Sequence, residues 1–365
     1  MIKVLHIEIS KEIGGIETFL MNLMNNIDRS EFSFDFITRY NELVNMAEFK
    51  TNDSKVIKVP SISHMFTYIS GIKEILKKGN YDIVHIHKNS NINILPLLIV
   101  KRCCDAKIVV HSHNTSPSSM RTISFLNSIN RKFVIKYADC KLACSDLAAK
   151  WLYGDDYKNY VFVPNGIDTE KFRYDDKQRN RLRYKYNIEN KIVIGSVGRL
   201  SQQKNPVFAL EIFYNYYKKN PNSIFVWIGD GNMMSDMKLL VEKMKIEEKV
   251  MLLGKQDHVE RYYSMMDFFL MPSLYEGFPI AAIEAQTSGL PCLLSSSITK
   301  EARLTENLQY LDLDESKDVW AGTIDKMLCE SVNRNNENNL VMDKGFDVKS
   351  TADKVSKIYC KLLGK

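Results

Sequence analysis

Short apolar runs alternate with segments of helical periodicity through the first 165 residues. The runs that predict β-strands are VLHIEI from Val4, FDFIT from Phe34, VIKVP from Val56, IVHIH from Ile83, KIVVHSH from Lys107, KLACS from Lys141 and VFVPN from Val161. Between them, segments such as ETFLMNLMNNI and HMFTYISGIKEILKKG carry apolar residues at helical spacing. Alternation of strand and helix indicates a parallel sheet covered on both faces, for which nearly continuous apolar strands are typical.

A polar segment, PNGIDTEKFRYDD from Pro164, interrupts this alternation with turn and boundary signals. After a basic stretch, QRNRLRYKYNI, apolar runs resume as KIVIGSVGRL, SIFVWIGDG, VMLLGK, FFLMPS and PCLLSS. The sequence therefore predicts an α/β protein with two Rossmann-like domains, residues 1–165 and 166–347. The amphipathic segment 348–365 is predicted to be a helix that caps one of them.

Composition narrows the possible functions only modestly. The net charge of +6 over 365 residues suits anionic substrates or a membrane surface but is too weak to indicate nucleic-acid binding. Seven cysteines without a zinc spacing or a C-x-x-C motif indicate reduced thiols in a cytoplasmic protein. The first apolar run contains Glu8 and no cleavage site, so we expect a strand and not a signal peptide. No apolar stretch approaches the ~20 residues that cross a bilayer.

Candidate phosphate-binding residues follow two of the predicted strands. Gly14 and Gly15 precede a helix, where paired glycines let backbone amides approach a phosphate, although a plain tight turn explains them equally well. Their spacing is not G-x-G-x-x-G, so the dinucleotide fingerprint is absent. Arg199 and Lys204 follow another strand and offer a planar fork and a compact charge to phosphate oxygens. The alternative for this pair is an ordinary solvated loop.

Two histidine pairs lie on predicted strands. His111 and His113 end one strand, where a histidine can hydrogen-bond a polar substrate near neutral pH. Histidines two residues apart can also ligate a metal, as could His85 and His87. No carboxylate or cysteine accompanies either pair at a useful spacing, so we predict no metal site. A structural role is the expectation for His85 and His87.

The most specific pattern is PSLYEGFPIAAIEAQTSGLPCLLS, in which Glu276 and Glu284 are spaced E-x7-E. Gly277 permits an unusual turn and Pro279 suits the first turn of a helix. Both carboxylates are therefore expected to face one ligand lying across the helix N-terminus, where a carboxylate suits the ribose hydroxyls of a nucleotide. The alternative is one exposed loop acid and one acid that favours the helix dipole.

Taken in order, these motifs resemble the retaining glycosyltransferases of family 4, which have the GT-B fold. The matching pieces span almost the whole chain: GGIETF, YDIVHIH, VVHSHNT, VPNGID, GRLSQQKNP, IGDGNM, LLGK and the E-x7-E block with SGLPCLLS. Within the family, the chain looks like the bacterial enzymes that build capsule, exopolysaccharide or O-antigen repeats. The resemblance implies two facing Rossmann-like domains with an active site in the cleft between them. It also implies sugar transfer from a nucleotide-sugar, UDP-linked on family habit, to a saccharide acceptor that is lipid-linked.

The resemblance further assigns roles. The implied catalytic residues are His113, Arg199, Lys204 and Glu276. The implied donor-binding residues are Gly14, Gly15, Arg199, Lys204, Gly254, Glu276, Gly277, Phe278 and Glu284. In this scheme Arg199 and Lys204 hold the donor diphosphate, Glu284 binds the ribose, and His113 lies beside the donor sugar. Residues 165–168 would form the interdomain hinge, and the helix at 348–365 would return to the first domain.

No metal and no cofactor beyond the nucleotide-sugar substrate are expected. The only D-x-D triplet, Asp312-Leu-Asp314, lies in a polar segment after the last core strand, and Arg199 and Lys204 would replace a metal in neutralising the leaving group. Two alternatives remain: a sugar-nucleotide epimerase of the same fold, and a non-catalytic GT-B partner subunit. The E-x7-E block argues against the first, and retention of the charged residues argues against the second.

A basic helical stretch of the first domain predicts peripheral contact with the inner face of the cytoplasmic membrane. Its basic residues are Arg121, Arg131, Lys132 and Lys136, interleaved with Phe125, Leu126, Phe133 and Val134. Such a stretch can rest on anionic lipid. A solvated helix with one buried stripe is an equally consistent interpretation.

Overall fold

The chain forms two compact units. The computed structural model describes residues 1–9, 14–40, 49–50, 54–114, 121–330, 334 and 337–365, without side chains at 121–124 and 337–338. The N-terminal unit comprises Met1–Gly166 and Val348–Lys365, and the C-terminal unit comprises Ile167–Asp347.

Within the described residues, the N-terminal unit is built on a seven-stranded parallel sheet of order β3-β2-β1-β4-β5-β6-β7. Its strands are β1 (Ile2–Ile9), β2 (Phe32–Thr38), β3 (Lys55–Lys58), β4 (Ile83–Lys88), β5 (Lys107–Ser112), β6 (Cys140–Ala143) and β7 (Val161–Phe162). Its helices are α1 (Gly15–Asn26), α2 (Met65–Gly79), α3 (Leu95–Cys103), α4 (Arg121–Tyr137), α5 (Asp146–Tyr153) and α13 (Val348–Leu362).

The core of this unit draws on both ends of the sequence. Phe19 and Leu23 of α1 are buried against the sheet, and Val355 and Tyr359 of α13 belong to the same apolar cluster. Full burial of a large apolar side chain contributes about 1.5–3 kcal/mol. The last helix is therefore an integral part of the N-terminal unit.

The C-terminal unit contains, within the described residues, a six-stranded parallel sheet of order β10-β9-β8-β11-β12-β13. Its strands are β8 (Ile192–Val197), β9 (Ser223–Ile228), β10 (Val250–Leu252), β11 (Phe268–Met271), β12 (Cys292–Ser295) and β13 (Leu308–Leu311). Its helices are α6 (Asp176–Lys185), α7 (Pro206–Lys219), α8 (Met234–Met244), α9 (Glu260–Met265), α10 (Ile280–Thr287), α11 (Lys317–Cys329) and α12 (Glu337–Asp343).

The predicted α/β class with two Rossmann-like halves is confirmed. Two details differ from the sequence prediction. The run VFVPN forms only the short strand β7, because Pro164 lacks the N–H that a longer ladder needs. Strand β13 was not predicted, because Gln309 and Tyr310 interrupt its apolar run.

Both sheets reverse their strand order next to their first strand, between β1 and β4 and between β8 and β11. In open parallel sheets, ligands bind outside the carboxyl ends of the strands at this switch point. The loops that leave β1, β8 and β11 carry most of the predicted site residues. The candidate ligand-binding region of each sheet is therefore the carboxyl edge at its switch point.

Candidate functional site

In the C-terminal unit, the loops 198–205 after β8 and 272–279 after β11 are fastened to each other. The backbone N–H of Leu274 donates to the carbonyl of Gln203 at 2.8 Å. The side-chain amide of Gln203 donates to the carbonyl of Tyr275 at 3.0 Å. These bonds fix the spacing of the charged side chains that the two loops carry.

Lys204 and Glu276 form an ion pair across these loops. The Nζ atom of Lys204 lies 2.7 Å from Oε1 of Glu276, and the side chains are only 19% and 7% exposed. Gln203 approaches the other carboxylate oxygen at 3.5 Å. An ion pair removed from water is electrostatically stronger than a surface pair, and loss of one partner leaves a buried charge unpaired.

Glu284 lies in α10, one turn beyond the Pro279 that caps the helix. The hydroxyl of Tyr263 donates to its Oε2 atom at 2.6 Å. Burial raises the pKa of Glu284 to about 7, and the Tyr263 hydrogen bond together with Lys171 and Lys204 opposes part of that rise. Glu284 therefore stands near the midpoint of its titration at neutral pH, and Lys204 acts on both carboxylates of the E-x7-E pair.

Two glycines bring the neighbouring loops into close backbone contact. Gly229 has a φ of 129° and donates its N–H to the carbonyl of Gly254 at 2.8 Å. A Cβ at Gly229 would lie 2.1 Å from the carbonyl oxygen of Gly198, so only glycine fits there. Gly254 has a φ of 66°, and no atom lies within 4 Å of the place its Cβ would take. The position of Gly254 is therefore set by its backbone angle, and a ligand can approach it.

The other predicted residues of this unit border the same loops. Arg199 follows Gly198, and its side chain is exposed. Gly277 and Phe278 are buried, and the ring of Phe278 stacks on that of Phe346 with centroids 5.6 Å apart. This packing holds the backbone that leads into α10.

In the N-terminal unit, Gly14 caps α1 and Gly15 is its first residue. The backbone N–H of Gly14 donates to Oε2 of Glu17 at 2.9 Å. A diphosphate that used this amide would have to displace the Glu17 carboxylate. Glu17 was not predicted as a site residue, although it lies inside the GGIETF motif.

Five buried histidines form one layer on the N-terminal sheet. We call His6, His85, His87, His111 and His113 the imidazole layer. The strand register places His6 beside His85 and His87 beside His111, so adjacent strands β1, β4 and β5 contribute to it. The ring centroids of His85 and His87 are 4.1 Å apart.

Helices cover this layer and hold its members. The ring of Phe19 in α1 meets His111 edge-on at 4.9 Å, and the hydroxyl of Tyr359 in α13 lies 2.6 Å from Nδ1 of His85. Burial lowers the pKa of His6 and of His113 to about 3. The other three pKa values are also lowered well below the usual value, first by burial and then by neighbouring histidines. The whole layer is therefore neutral at physiological pH.

The described residues contain two histidine triads whose ring nitrogens lie within 4.8 Å of one another, His6–His85–His87 and His87–His111–His113. The D-x-D acids lie elsewhere, after β13, and both are exposed. Asp312 accepts the backbone N–H of Asp314 at 3.0 Å, which is a local turn contact. Metal independence stays a prediction.

Comparison with known proteins identifies the family. The family model described as Glycosyltransferase Family 4 matches residues 13–171, and the model described as Glycosyl transferases group 1 matches residues 178–336. The chain is 30% identical to the Bacillus subtilis protein named as glycosyltransferase EpsF over 339 residues, 88% of this chain and 86% of that protein. The chain belongs to the family 4 glycosyltransferases.

Further similarities agree with that assignment. The family 4 chain is 28% identical over 385 residues to an Escherichia coli enzyme named UDP-Gal:alpha-D-GlcNAc-diphosphoundecaprenol alpha-1,3-galactosyltransferase, with 98% of this chain and 96% of that enzyme covered. The Anabaena protein HepE, crystallised with UDP and glucose, matches with a TM-score of 0.82 at 16% identity, covering 98% and 99% of the two chains. That likeness confirms the GT-B fold. Membership of the family also removes support from the epimerase alternative.

The structure brings Lys204 together with Glu276 and Glu284, and Lys204 lies 72 positions before Glu276 in the sequence. It also shows contributors that the motifs did not reveal. Tyr263 on α9 reaches Glu284, and His6 joins the imidazole layer from β1. A histidine in the middle of the apolar run VLHIEI was the available signal for His6, whereas nothing in the sequence around Tyr263 indicates its partner.

Proposed function

We propose that this family 4 glycosyltransferase moves a hexosyl group, with retention of configuration, from a UDP-sugar to a lipid-linked saccharide in cell-surface polysaccharide synthesis. The observation that carries the proposal is the Lys204–Glu276 ion pair beside Glu284 at the switch point of the C-terminal unit. The similarity to HepE, crystallised with UDP and glucose, supports the choice of donor. The similarity to the galactosyltransferase whose name includes diphosphoundecaprenol supports the choice of acceptor.

Donor binding is proposed to break the Lys204–Glu276 ion pair and to give each of the two side chains a new partner on the donor. Sugar hydroxyls would bind the carboxylate of Glu276 while diphosphate oxygens bind Lys204, so neither buried charge loses its partner. The ribose hydroxyls would donate hydrogen bonds to Glu284. Such bonds would stabilise its ionised carboxylate and lower its pKa. Arg199, exposed on the same loop as Lys204, would supply a second cation.

The chemical step needs charge stabilisation more than a covalent nucleophile. The bond between the sugar C1 and the diphosphate oxygen breaks, and negative charge grows on the leaving group as the sugar gains oxocarbenium character. Because no residue of the predicted motifs is an obvious nucleophile, the acceptor hydroxyl would attack C1 from the face that the diphosphate leaves. Its proton would pass to the departing phosphate oxygen.

The decisive test has two stages. A thermal-shift series over UDP- and GDP-sugars should raise the melting temperature with a UDP-sugar, since a ligand of the folded state stabilises it by mass action. An NMR spectrum of the product formed with that donor should show the anomeric configuration retained. An inverted product would disprove the proposed mechanism. Failure to release UDP from any donor, even slowly without acceptor, would favour the non-catalytic partner subunit.

We also propose that α4 rests on anionic lipid. On α4, Phe125, Leu126 and Ile129 are 67%, 44% and 43% exposed, and Lys132 and Lys136 are exposed beyond them. Val134 is fully buried, whereas Phe133 and Arg131 are half-buried. The side chain of Arg121 lies outside the described residues. An apolar surface next to lysines suits a peripheral helix at an anionic interface.

No helix among the described residues is both long and apolar enough to span a bilayer. Replacing Lys132 and Lys136 with Glu should reduce binding to anionic vesicles by roughly tenfold or more, because each lysine near such a surface contributes about 1 kcal/mol. A flotation assay measures this effect, with the exposed Lys218 and Lys219 of α7 replaced in the same way as the control. Equal flotation of both variants would reject the membrane role and leave the glycosyltransferase assignment intact.

A further inference from the structure

Three members of the imidazole layer form a hydrogen-bonded chain. Nδ1 of His6 lies 3.0 Å from Nε2 of His87, and Nδ1 of His87 lies 2.9 Å from Nε2 of His113. We call these three residues the imidazole chain. His85 and His111 lie in the same layer but take no part in it, which makes them natural controls.

The chemistry of a neutral ring restricts this chain to two states. A neutral imidazole has one N–H donor and one bare nitrogen acceptor. His87 uses both of its nitrogens, so it must donate at one end and accept at the other. Following the bonds outward, all three rings carry their proton on Nδ1, or all three carry it on Nε2. The protonation pattern of His113 is therefore tied to that of His6, two rings away.

We propose that His6 and His87 are positioning residues that fix which ring nitrogen of His113 carries the proton. This inference rests on the proposed function and on the role that the family resemblance implies for His113, beside the donor sugar. The tautomer decides whether Nδ1 of His113 donates or accepts a hydrogen bond. A site for a sugar hydroxyl depends on that choice, because a mismatched buried group is left unpaired.

The surroundings of His113 favour the Nδ1–H state. The side chain of Asn165 opposes the lowering of the His113 pKa, as an acceptor does when it faces a ring N–H. Oδ1 of Asn165 and Nδ1 of His113 have no hydrogen bond of ordinary geometry among the described residues. If Asn165 accepts from Nδ1 of His113, the geometry of the imidazole chain requires His87 and His6 to carry their protons on Nδ1 as well.

The geometry favours this chain over a metal site. Each histidine triad contains a pair of nitrogens joined by a hydrogen bond, at 3.0 Å in one and 2.9 Å in the other. Lone pairs that ligate zinc must instead converge on a point about 2.0–2.1 Å from each nitrogen. The layer is also buried and includes no carboxylate to offset a divalent charge.

The test is ¹⁵N NMR of the full chain labelled only at histidine, which gives ring signals from seven residues. Single variants assign the signals, and the nitrogen shifts report the tautomer of each neutral ring. In the wild type, His6, His87 and His113 should all be Nδ1–H. His6→Leu should alter the ring shifts of His87 and His113. His6→Asn, whose amide lies near the position of Nδ1, should restore them. His85→Leu removes a ring that stacks on His87 but should leave the tautomers of His87 and His113 unchanged.

Several results would overturn the inference. These are opposite tautomers at His87 and His113 in the wild type, unchanged His113 shifts in a folded His6→Leu variant, or a stoichiometric transition metal found by elemental analysis and lost on His87→Ala. If His6→Leu fails to fold, the wild-type tautomers still decide the question.

Kinetics separates this inference from the proposed function. His6→Leu should lower kcat/KM for the UDP-sugar by roughly three- to tenfold, the size expected for one hydrogen bond, and His6→Asn should recover it. If the His113 spectrum changes in His6→Leu as expected while turnover does not, the coupling stands. In that case the placement of His113 beside the sugar is the part that fails.

Discussion

The two sheets share one strand order around their switch points but treat polar groups there in opposite ways. At the N-terminal sheet, burial holds five histidines neutral. His6, His87 and His113 hydrogen-bond in a chain, and His85 pairs with the hydroxyl of Tyr359. At the C-terminal sheet, Lys204 and Glu276 form an ion pair. The Lys204 ammonium therefore suits the second edge to a diphosphate. The first is suited to uncharged hydroxyls.

The same contrast gives the two edges opposite responses to pH. The folded pKa of His6 and His113, about 3, lies below that of an exposed histidine, so their contribution to stability is present above about pH 6.5. It is lost as the pH falls. The folded pKa of Glu284, about 7, lies above that of an exposed glutamate. Its contribution is therefore present at low pH and is lost as the pH rises through 7.

The largest effect we predict is loss of the N-terminal unit in mild acid. By pH 5, His6 and His113 alone should each reduce the free energy of unfolding by roughly 2 kcal/mol, because the unfolded chain binds protons that the folded chain cannot. Hydrogen exchange followed by mass spectrometry at pH 7 and pH 5 measures this unit by unit. Lower protection factors in β1, β4 and β5 at pH 5, after correction for the slower intrinsic exchange in acid, with β8 to β12 still protected, are the expected pattern. Equal loss of protection in both units would contradict the prediction that mild acid destabilises the N-terminal unit selectively.

Lys204→Ala tests the role of the charged residues at the edge of the C-terminal sheet. It should lower kcat by roughly 10²–10³-fold while raising KM less, because this ammonium meets charge that grows in the transition state. Arg199→Ala should act in the same direction but less strongly, since that side chain is exposed. Lys219→Ala, which removes a side chain 66% exposed, is the matched control in steady-state assays. A change confined to KM would remove the leaving-group role.

Glu284→Gln should weaken UDP binding by about 1–3 kcal/mol, because the ribose hydroxyls lose a charged acceptor. In the wild type, affinity should rise from pH 6 to pH 8 as the carboxyl ionises, and the rise should be smaller in the variant, where the terminal phosphate of UDP still titrates. Isothermal titration calorimetry at both pH values measures the two effects together. Glu306→Gln, at a side chain 93% exposed, serves as the control. Unaltered UDP affinity in a folded Glu284→Gln variant would show that Glu284 does not bind the ribose.

The smallest predicted effect is that of chelation. Turnover should be the same with and without EDTA, because Lys204 and Arg199 are proposed to supply the positive charge that a metal provides in other transferases. The assay compares initial rates before and after chelator treatment. Loss of activity that Mn²⁺ or Mg²⁺ restores would indicate a metal requirement, with Asp312 and Asp314 as the candidate ligands.

Periodicity and motif order predicted the fold well, because strands buried on both faces must be apolar and loops at their carboxyl ends need glycine and polar residues. The E-x7-E acids stood out as candidate ligand-binding residues because they are close in sequence, on one loop and the helix that follows it. The contact of Glu284 with Tyr263 was not predictable, since it depends on how α9 and α10 pack. The joining of His6 to His87 likewise depends on the β1–β4 pairing, which bridges 81 positions of sequence.

The return of α13 to the N-terminal unit has a consequence for biosynthesis. A ribosome completes Ile167–Asp347 before it makes Val348–Leu362, so the C-terminal unit is available to fold while the N-terminal core still lacks Val355 and Tyr359. Nascent N-terminal units therefore wait, with their apolar cluster incomplete, for a segment made after an entire second unit. Translational pauses inside residues 167–347 would lengthen that wait and increase the demand for chaperones.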